Sequence, residues 1–257
     1  MTEVSTRYIV VLIMETSFDL TPRQVLILKA IIEEYITTAE AVGSETLDKK
    51  YNLGVSPATI RNEMVRLTDM KLLKQPHTSA GRSPTPDALK FYVEHLMKAK
   101  DMSVAEEISV KEKIWDYRQE VDKLLREATR TLAAYTKTLA IAATKDGDMY
   151  ISGTANILDM PEFYDYDLTH ALFSALDRVD FWWELVEKQP ANVDILLGDE
   201  FGGRGALGEC GFVFNKFETP HVSGMIGVVG PSRLNYPRLV PVVRYMGGLI
   251  KELSTNW

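Results

Sequence analysis

From Thr21 onward the apolar positions fall into a helical rhythm. Val25, Leu28, Ile31, Ile32, Tyr35 and Ile36 recur at three- and four-residue spacing, which predicts one amphipathic helix. Thr21-Pro22-Arg23-Gln24 marks its start: a hydroxyl at the N-cap, proline at the first helical position and Gln three residues after the cap form a capping box. Ser44 is expected to cap a shorter helix reaching about Tyr51, with Leu47 and Tyr51 as its buried contacts, while Asn52 and Gly54 suit a left-handed turn. A third helix opens at Ser56-Pro57 and runs through Leu67; Ile60, Met64 and Leu67 face inward, which leaves Ala58, Thr59, Arg61, Asn62 and Val65 outward. Leu72 to Pro76 and Gly81 to Pro84 read as two short strands around the polar tip Pro76-His77-Thr78-Ser79-Ala80. Thr85-Pro86-Asp87 then starts another helix, with Leu89, Tyr92, Val93 and Leu96 as its stripe.

The texture changes after Lys100. Between Glu106 and Leu139 there is no proline or glycine, and Ile114, Val121, Leu124, Ala128, Leu132, Tyr135 and Leu139 keep close to a heptad-like stripe. That predicts one long linker helix, packed either on a partner copy or on its own domain. Beyond Thr144, strands are expected at Met149–Ile151, Val193–Leu197, Gly211–Phe214 and Ser223–Val229, with helices at Leu168–Val186 and from Pro237 to the end. The expected class is α+β, divided into a leader (1–19), a helix-rich N-terminal domain (20–100), a linker helix (101–140) and a mixed C-terminal domain (141–257).

Charge separates the halves further. The net charge of −7 argues against a nucleic-acid binder until the chain is split at Lys100: residues 1–100 carry 13 Lys and Arg against 12 Asp and Glu, residues 101–257 carry 16 against 24. Lys49–Lys90 alone holds 8 basic residues against Glu63, Asp69 and Asp87, and local charge sets the field that a phosphate backbone meets. A helix, a glycine-containing turn and a helix whose exposed first turns carry Thr, Arg and Asn is the layout of a DNA reader. Arg suits guanine edges, Asn adenine edges, and Thr and Ala a thymine methyl. The alternative, a plain helical hairpin with a solvated polar face, loses ground because a basic hairpin, a wing, follows directly. The candidate DNA-binding set is Ser56, Ala58, Thr59, Arg61, Asn62, Val65 and Arg66 on the third helix, Lys49, Lys50 and Lys74 toward phosphates, and His77, Thr78, Ser79 and Arg82 on the wing.

Other chemistry is sparse. His77, His95, His170 and His221 lack metal-ligand spacing, and the single Cys210 can form no intrachain disulfide, which suits a reducing cytoplasm and a buried structural thiol. The glycines of Gly224–Gly230 are not followed by Gly-Lys-Ser/Thr, so they do not form a Walker phosphate loop. Phe181-Trp182-Trp183 reads as a core or partner-facing helix end rather than a ligand box. Tyr8–Met14 is too short to span a membrane and lacks a signal cleavage site; it reads as a strand or leader, with Met1 or Met14 as the start. No enzyme activity, cofactor or metal is expected.

Five segments together carry a resemblance: Thr21-Pro22-Arg23-Gln24, Ile31–Ile36, Val42-Gly43-Ser44, Ser56–Met64 and Pro76–Arg82. In this order they resemble the heat-inducible transcription repressor HrcA family, with Ala41 in place of a usual proline and Ser83 in place of an apolar residue. Gly153–Asn156, Pro161-Glu162-Phe163 and Gly230–Pro237 extend the likeness to that family's GAF-like C-terminal domain. The resemblance implies an N-terminal winged helix-turn-helix followed by a reduced GAF-like domain. It further implies a homodimer on an inverted-repeat operator of double-stranded DNA upstream of chaperone genes, with the chaperonin as a modulator. Family members usually carry an inserted dimerisation domain where this chain passes directly from Thr138 to Tyr150. Pairing would then fall to the stripe Ile114, Val121, Leu124 and Leu132 or to apolar faces of the C-terminal domain. Two other readings stay open: a small-molecule sensor in the GAF-like domain, and a protein-interaction adaptor.

Overall fold

The computed structural model describes residues 18–77, 80–118, 120–187, 189, 194–201 and 205–254. The chain divides into two compact units, the first ending at Met97 and the second beginning at Lys98. The leader with Met14, and Thr78 and Ser79 of the wing, lie outside the described residues.

In the first unit, helix α1 (Pro22–Thr38) starts on the expected capping box: the Gln24 amide donates to Thr21 Oγ1 at 3.3 Å and the Thr21 amide donates to Gln24 Oε1 at 2.9 Å. Helix α2 (Ser44–Lys50) differs from expectation at its start. Gly43 is the N-cap and Ser44 the first helical residue, with no side-chain cap. Of the two turn residues singled out, only Gly54 has positive φ (69°). Helix α3 (Pro57–Asp69) begins on Ser56, whose Oγ accepts from the Thr59 amide at 3.3 Å. Strands β1 (Leu73–Lys74) and β2 (Ser83–Pro84) pair antiparallel, Leu73 opposite Pro84 and Lys74 opposite Ser83. Thr85 caps α4 (Pro86–Phe91), which runs on into a π-helical turn, Tyr92–Leu96. Val25, Leu28, Ile31 and Ile32 of α1, Leu47 of α2, and Ile60, Met64 and Leu67 of α3 are all buried. The stripes read from the sequence therefore supply most of this core, while Tyr35, Ile36, Tyr51, Val93 and Leu96, also expected in it, are half-buried.

The second unit is built on an antiparallel five-stranded sheet ordered β4-β3-β7-β6-β5, from β3 (Leu139–Thr144), β4 (Met149–Ser152), β5 (Asp194–Leu197), β6 (Cys210–Glu218) and β7 (Ser223–Pro231). Leu139, Ile141, Phe212, Phe214, Met225 and Val229 on one face pack with α8 (Tyr166–Leu176) and α9 (Val179–Glu187), through Leu172, Trp182 and Val186. Alternate residues, such as Ala140, Val213 and Val228, project to the opposite face, which α6 (Val121–Thr136) and α10 (Tyr236–Ser254) cover. A short helix α7 (Thr154–Leu158) follows β4.

The single linker helix expected over 106–139 is two helices within this unit, α5 (Val104–Trp115) and α6. No proline or glycine is needed for the break. The Arg118 guanidinium stacks 4.6 Å from the Trp115 ring centroid and donates to the Trp115 carbonyl at 2.8 Å, supplying a partner that a helix end otherwise lacks. Folding back buries Ile114, Leu124 and Leu132 completely and leaves Val121 half-buried, so three of the four residues of this stripe are core and do not present themselves for pairing. At the other end Lys137, at φ 57°, stops α6, and Leu139 becomes the first residue of β3. The helix expected over Leu168–Val186 is likewise divided into α8 and α9.

Candidate nucleic-acid interface

Because α3 buries Ile60, Met64 and Leu67, its opposite side is committed to solvent. Ala58, Arg61, Asn62 and Arg66 are exposed, and Val65 keeps 45% of its surface, unusual for a branched aliphatic side chain on a helix this well packed. Arg61 and Asn62 form no side-chain hydrogen bond or ion pair among the described residues, so their donors and acceptors remain unspent. Ser56 and Thr59 are partly used at the helix start, with their hydroxyls 3.0 Å apart.

The basic candidates separate by what they touch. Lys49 is exposed in the last turn of α2, and Lys74 is exposed on β1. Lys50 is ion-paired with Glu34 of α1, whose side chain is 9% exposed, and the Tyr51 hydroxyl donates to the same carboxylate at 3.3 Å. Burial, with Glu34 and Glu33 beside it, pushes the Tyr51 phenol up to about 12. Lys50 and Tyr51 thus fasten α2 to α1. Arg66 reaches Glu63 at 3.4 Å.

The wing is fixed to α3 by residues whose role the sequence reading did not isolate. Arg82 is half-buried; its Nε donates to Thr68 Oγ1 at 3.1 Å, and its backbone exchanges hydrogen bonds of 2.8 and 2.9 Å with Val42. The Val42 segment therefore joins the hairpin as a third edge. The Gln75 side chain donates to the Ala80 carbonyl at 3.1 Å across the wing, and His77 is exposed at its tip. Arg61 and Val65 of α3, the N-cap Gly43 and Thr46 at the start of α2, and Gln75 and Arg82 of the wing line a groove of about 510 Å³.

Among the described residues no cluster of His, Cys, Asp or Glu could hold a metal, and no helix is long and apolar enough to cross a membrane. Cys210 is buried, and that burial pushes its thiol up to about 12. The thiol stays protonated and unreactive.

A helix-turn-helix with an exposed second helix and a hairpin wing, carried ahead of an α+β unit, defines the class of winged-helix transcription regulators. Within it the chain belongs to the HrcA family of transcription repressors, a family without enzymatic activity. The family described as "HrcA protein C terminal domain" matches residues 65–240. The heat-inducible transcription repressor HrcA of Symbiobacterium thermophilum is 26% identical over 331 residues, covering 89% of this chain and 97% of that protein. The same-named protein of Moorella thermoacetica is 26% identical over 333 residues. That of Clostridium acetobutylicum is 47% identical over 120 residues, covering 46% of this chain and 35% of its own length. The first alignment is longer than this chain, so roughly a hundred of its positions have no counterpart here. A solved structure described as a hypothetical protein at 2.2 Å resolution shares the fold, with TM-score 0.74 and 18% identity over 92% of this chain and 99% of that one.

Proposed function

We propose that this chain represses transcription by binding an inverted-repeat operator in double-stranded DNA as a homodimer, each α3 entering the major groove of one half-site. The single observation that carries this reading is the outward face Arg61, Asn62 and Val65: two side chains with unspent hydrogen-bonding groups and one exposed apolar side chain, adjacent on one helix. An Arg fork fits guanine O6 and N7, an Asn amide fits adenine N6 and N7, and the Val65 methyls fit a thymine methyl. Lys49, Lys74 and the wing supply phosphate contacts, which position the helix without reading sequence.

Pairing follows from the two-fold symmetry of an inverted repeat. Since Ile114, Leu124 and Leu132 are buried, the pairing surface is sought among exposed apolar side chains of the second unit, such as Val104, Ile108 and Trp115 on α5. The family resemblance further suggests chaperone genes as targets, the chaperonin as modulator and the cytoplasm as the compartment. Fluorescence anisotropy on a duplex carrying the inverted repeat and on a scrambled duplex, from about 50 to 200 mM salt, tests the reading. Tighter binding to the repeat, with a steep salt dependence on both duplexes, supports it. Equal affinity for the two would overturn sequence-specific repression.

A further inference from the structure

Glu63 is the one carboxylate on the inner flank of α3, with a side chain only 8% exposed. Two guanidiniums share its Oε1: Arg66 on the same helix at 3.4 Å and Arg23, in the first turn of α1, at 3.8 Å. Its Oε2 is buried without a hydrogen-bond partner, so neither arginine closes a two-pronged fork on the carboxylate. Both guanidiniums remain largely in solvent, at 55% and 65% side-chain exposure. Arg23 makes no hydrogen bond among the described residues.

The positions of these groups around α3 give the pair a direction. At about 100° per residue, taking Arg61 as zero, Val65 lies at roughly 40°, Asn62 at 100°, Arg66 at 140° and Glu63 at 200°, while Thr68 lies at roughly −20°. The reading face, spanning roughly 0° to 100°, is therefore centred at about 50°, with Thr68 about 70° to one side and Arg66 about 90° to the other. Thr68 holds Arg82 of the wing. A helix lying in the major groove has a phosphate strand on each side. The wing serves one strand, and Arg66 with Arg23 stands on the side that faces the other.

Resting on the DNA-binding reading above, we infer that Arg23 is a phosphate-contact residue, held with Arg66 by the buried Glu63 carboxylate on the flank of the reading helix opposite the wing. Structural need alone does not call for two arginines. A single guanidinium balances one carboxylate, and the second leaves a net positive charge with donors aimed outward. With both guanidiniums largely in solvent and neither closing a fork on the carboxylate, a second arginine adds little to stability, whereas an arginine fork fits a phosphate well.

The test uses the full chain and a duplex to which the unaltered protein binds. Arg23→Gln is expected to weaken binding to the inverted repeat and to a scrambled duplex by the same factor. The slope of log K against log salt should become shallower by about 0.9, the value for one phosphate contact. Arg23→Lys, which keeps the charge, is expected to retain the slope. Should Arg23→Gln lower the folded fraction, circular dichroism at each salt concentration gives that fraction, and the slope is read after log K has been corrected for it. An unchanged slope in Arg23→Gln overturns the inference, as does a loss confined to the inverted repeat. If the unaltered protein binds neither duplex, the DNA-binding reading itself fails, an outcome distinct from both.

Discussion

Gly81 is pressed against Val42: a β-carbon on Gly81 would overlap the Val42 carbonyl and stand 2.8 Å from the Gly43 amide nitrogen. Backbone, rather than a flexible side-chain end, occupies the space. Gly81→Ala should therefore break the Val42–Arg82 bridge and displace the wing from α3. The expected cost is roughly 1–3 kcal/mol of stability, typical of overpacking. The first unit should unfold at lower urea and duplex binding should weaken, while the helical circular dichroism is retained.

Arg61→Ala and Asn62→Ala should act differently from Lys49→Ala. The first two are expected to cost about 1–3 kcal/mol of discrimination between the repeat and a scrambled duplex. Lys49→Ala should weaken both duplexes alike and flatten the salt dependence by about one unit. Lys50→Ala, which removes the ion pair to Glu34, should mainly lower the melting temperature.

How far these residues were legible in advance depends on what kind of signal each leaves. The helices α1 and α3 were readable because capping residues and apolar spacing coincide, at Thr21 to Gln24 and at Ser56 to Leu67. Strand β3 was missed because Leu139-Ala140-Ile141-Ala142-Ala143 is buried on both faces and shows no alternation; its first residue also continued the stripe of α6. The break between α5 and α6 has no proline or glycine, and is accompanied by Arg118 reaching back to Trp115, a local stacking contact that leaves no periodic mark. Val42 escaped notice as part of the wing because a one-residue bridge leaves no periodicity at all.

Leu124 is fully buried, so a charged substitution there tests the fold of the second unit. Leu124→Ala is expected to destabilise it by about 2–5 kcal/mol, and Leu124→Glu by more. A thermal melt followed by circular dichroism checks this. A folded Leu124→Glu protein that simply sediments at lower mass would instead return this stripe to the pairing surface.

The Tyr51 and Tyr92 phenols are both pushed up to about 12, first by burial and then by neighbouring groups, Glu34 and Glu33 for Tyr51 and Glu33 and Tyr51 for Tyr92. The folded state therefore holds these protons more tightly than the unfolded chain, whose phenols ionise near 10. Their contribution to stability is full below pH 10 and is lost as pH rises toward about 12. Tyr135, Tyr150 and Tyr245 are raised as well, so absorbance of tyrosinate against pH should show a late-titrating group of phenols, and Tyr51→Phe should remove one member of it.

The central claim is that α3 reads sequence in duplex DNA, and selection from a random duplex library by the full chain tests it most directly. Several rounds of capture at about 150 mM salt, near physiological ionic strength, should enrich an inverted repeat whose half-sites lie about one helical turn apart, centre to centre, or a multiple of that. The enrichment should be lost in the Arg61→Ala, Asn62→Ala double variant. Recovered duplexes with no shared motif, or an identical motif from the double variant, would contradict the account.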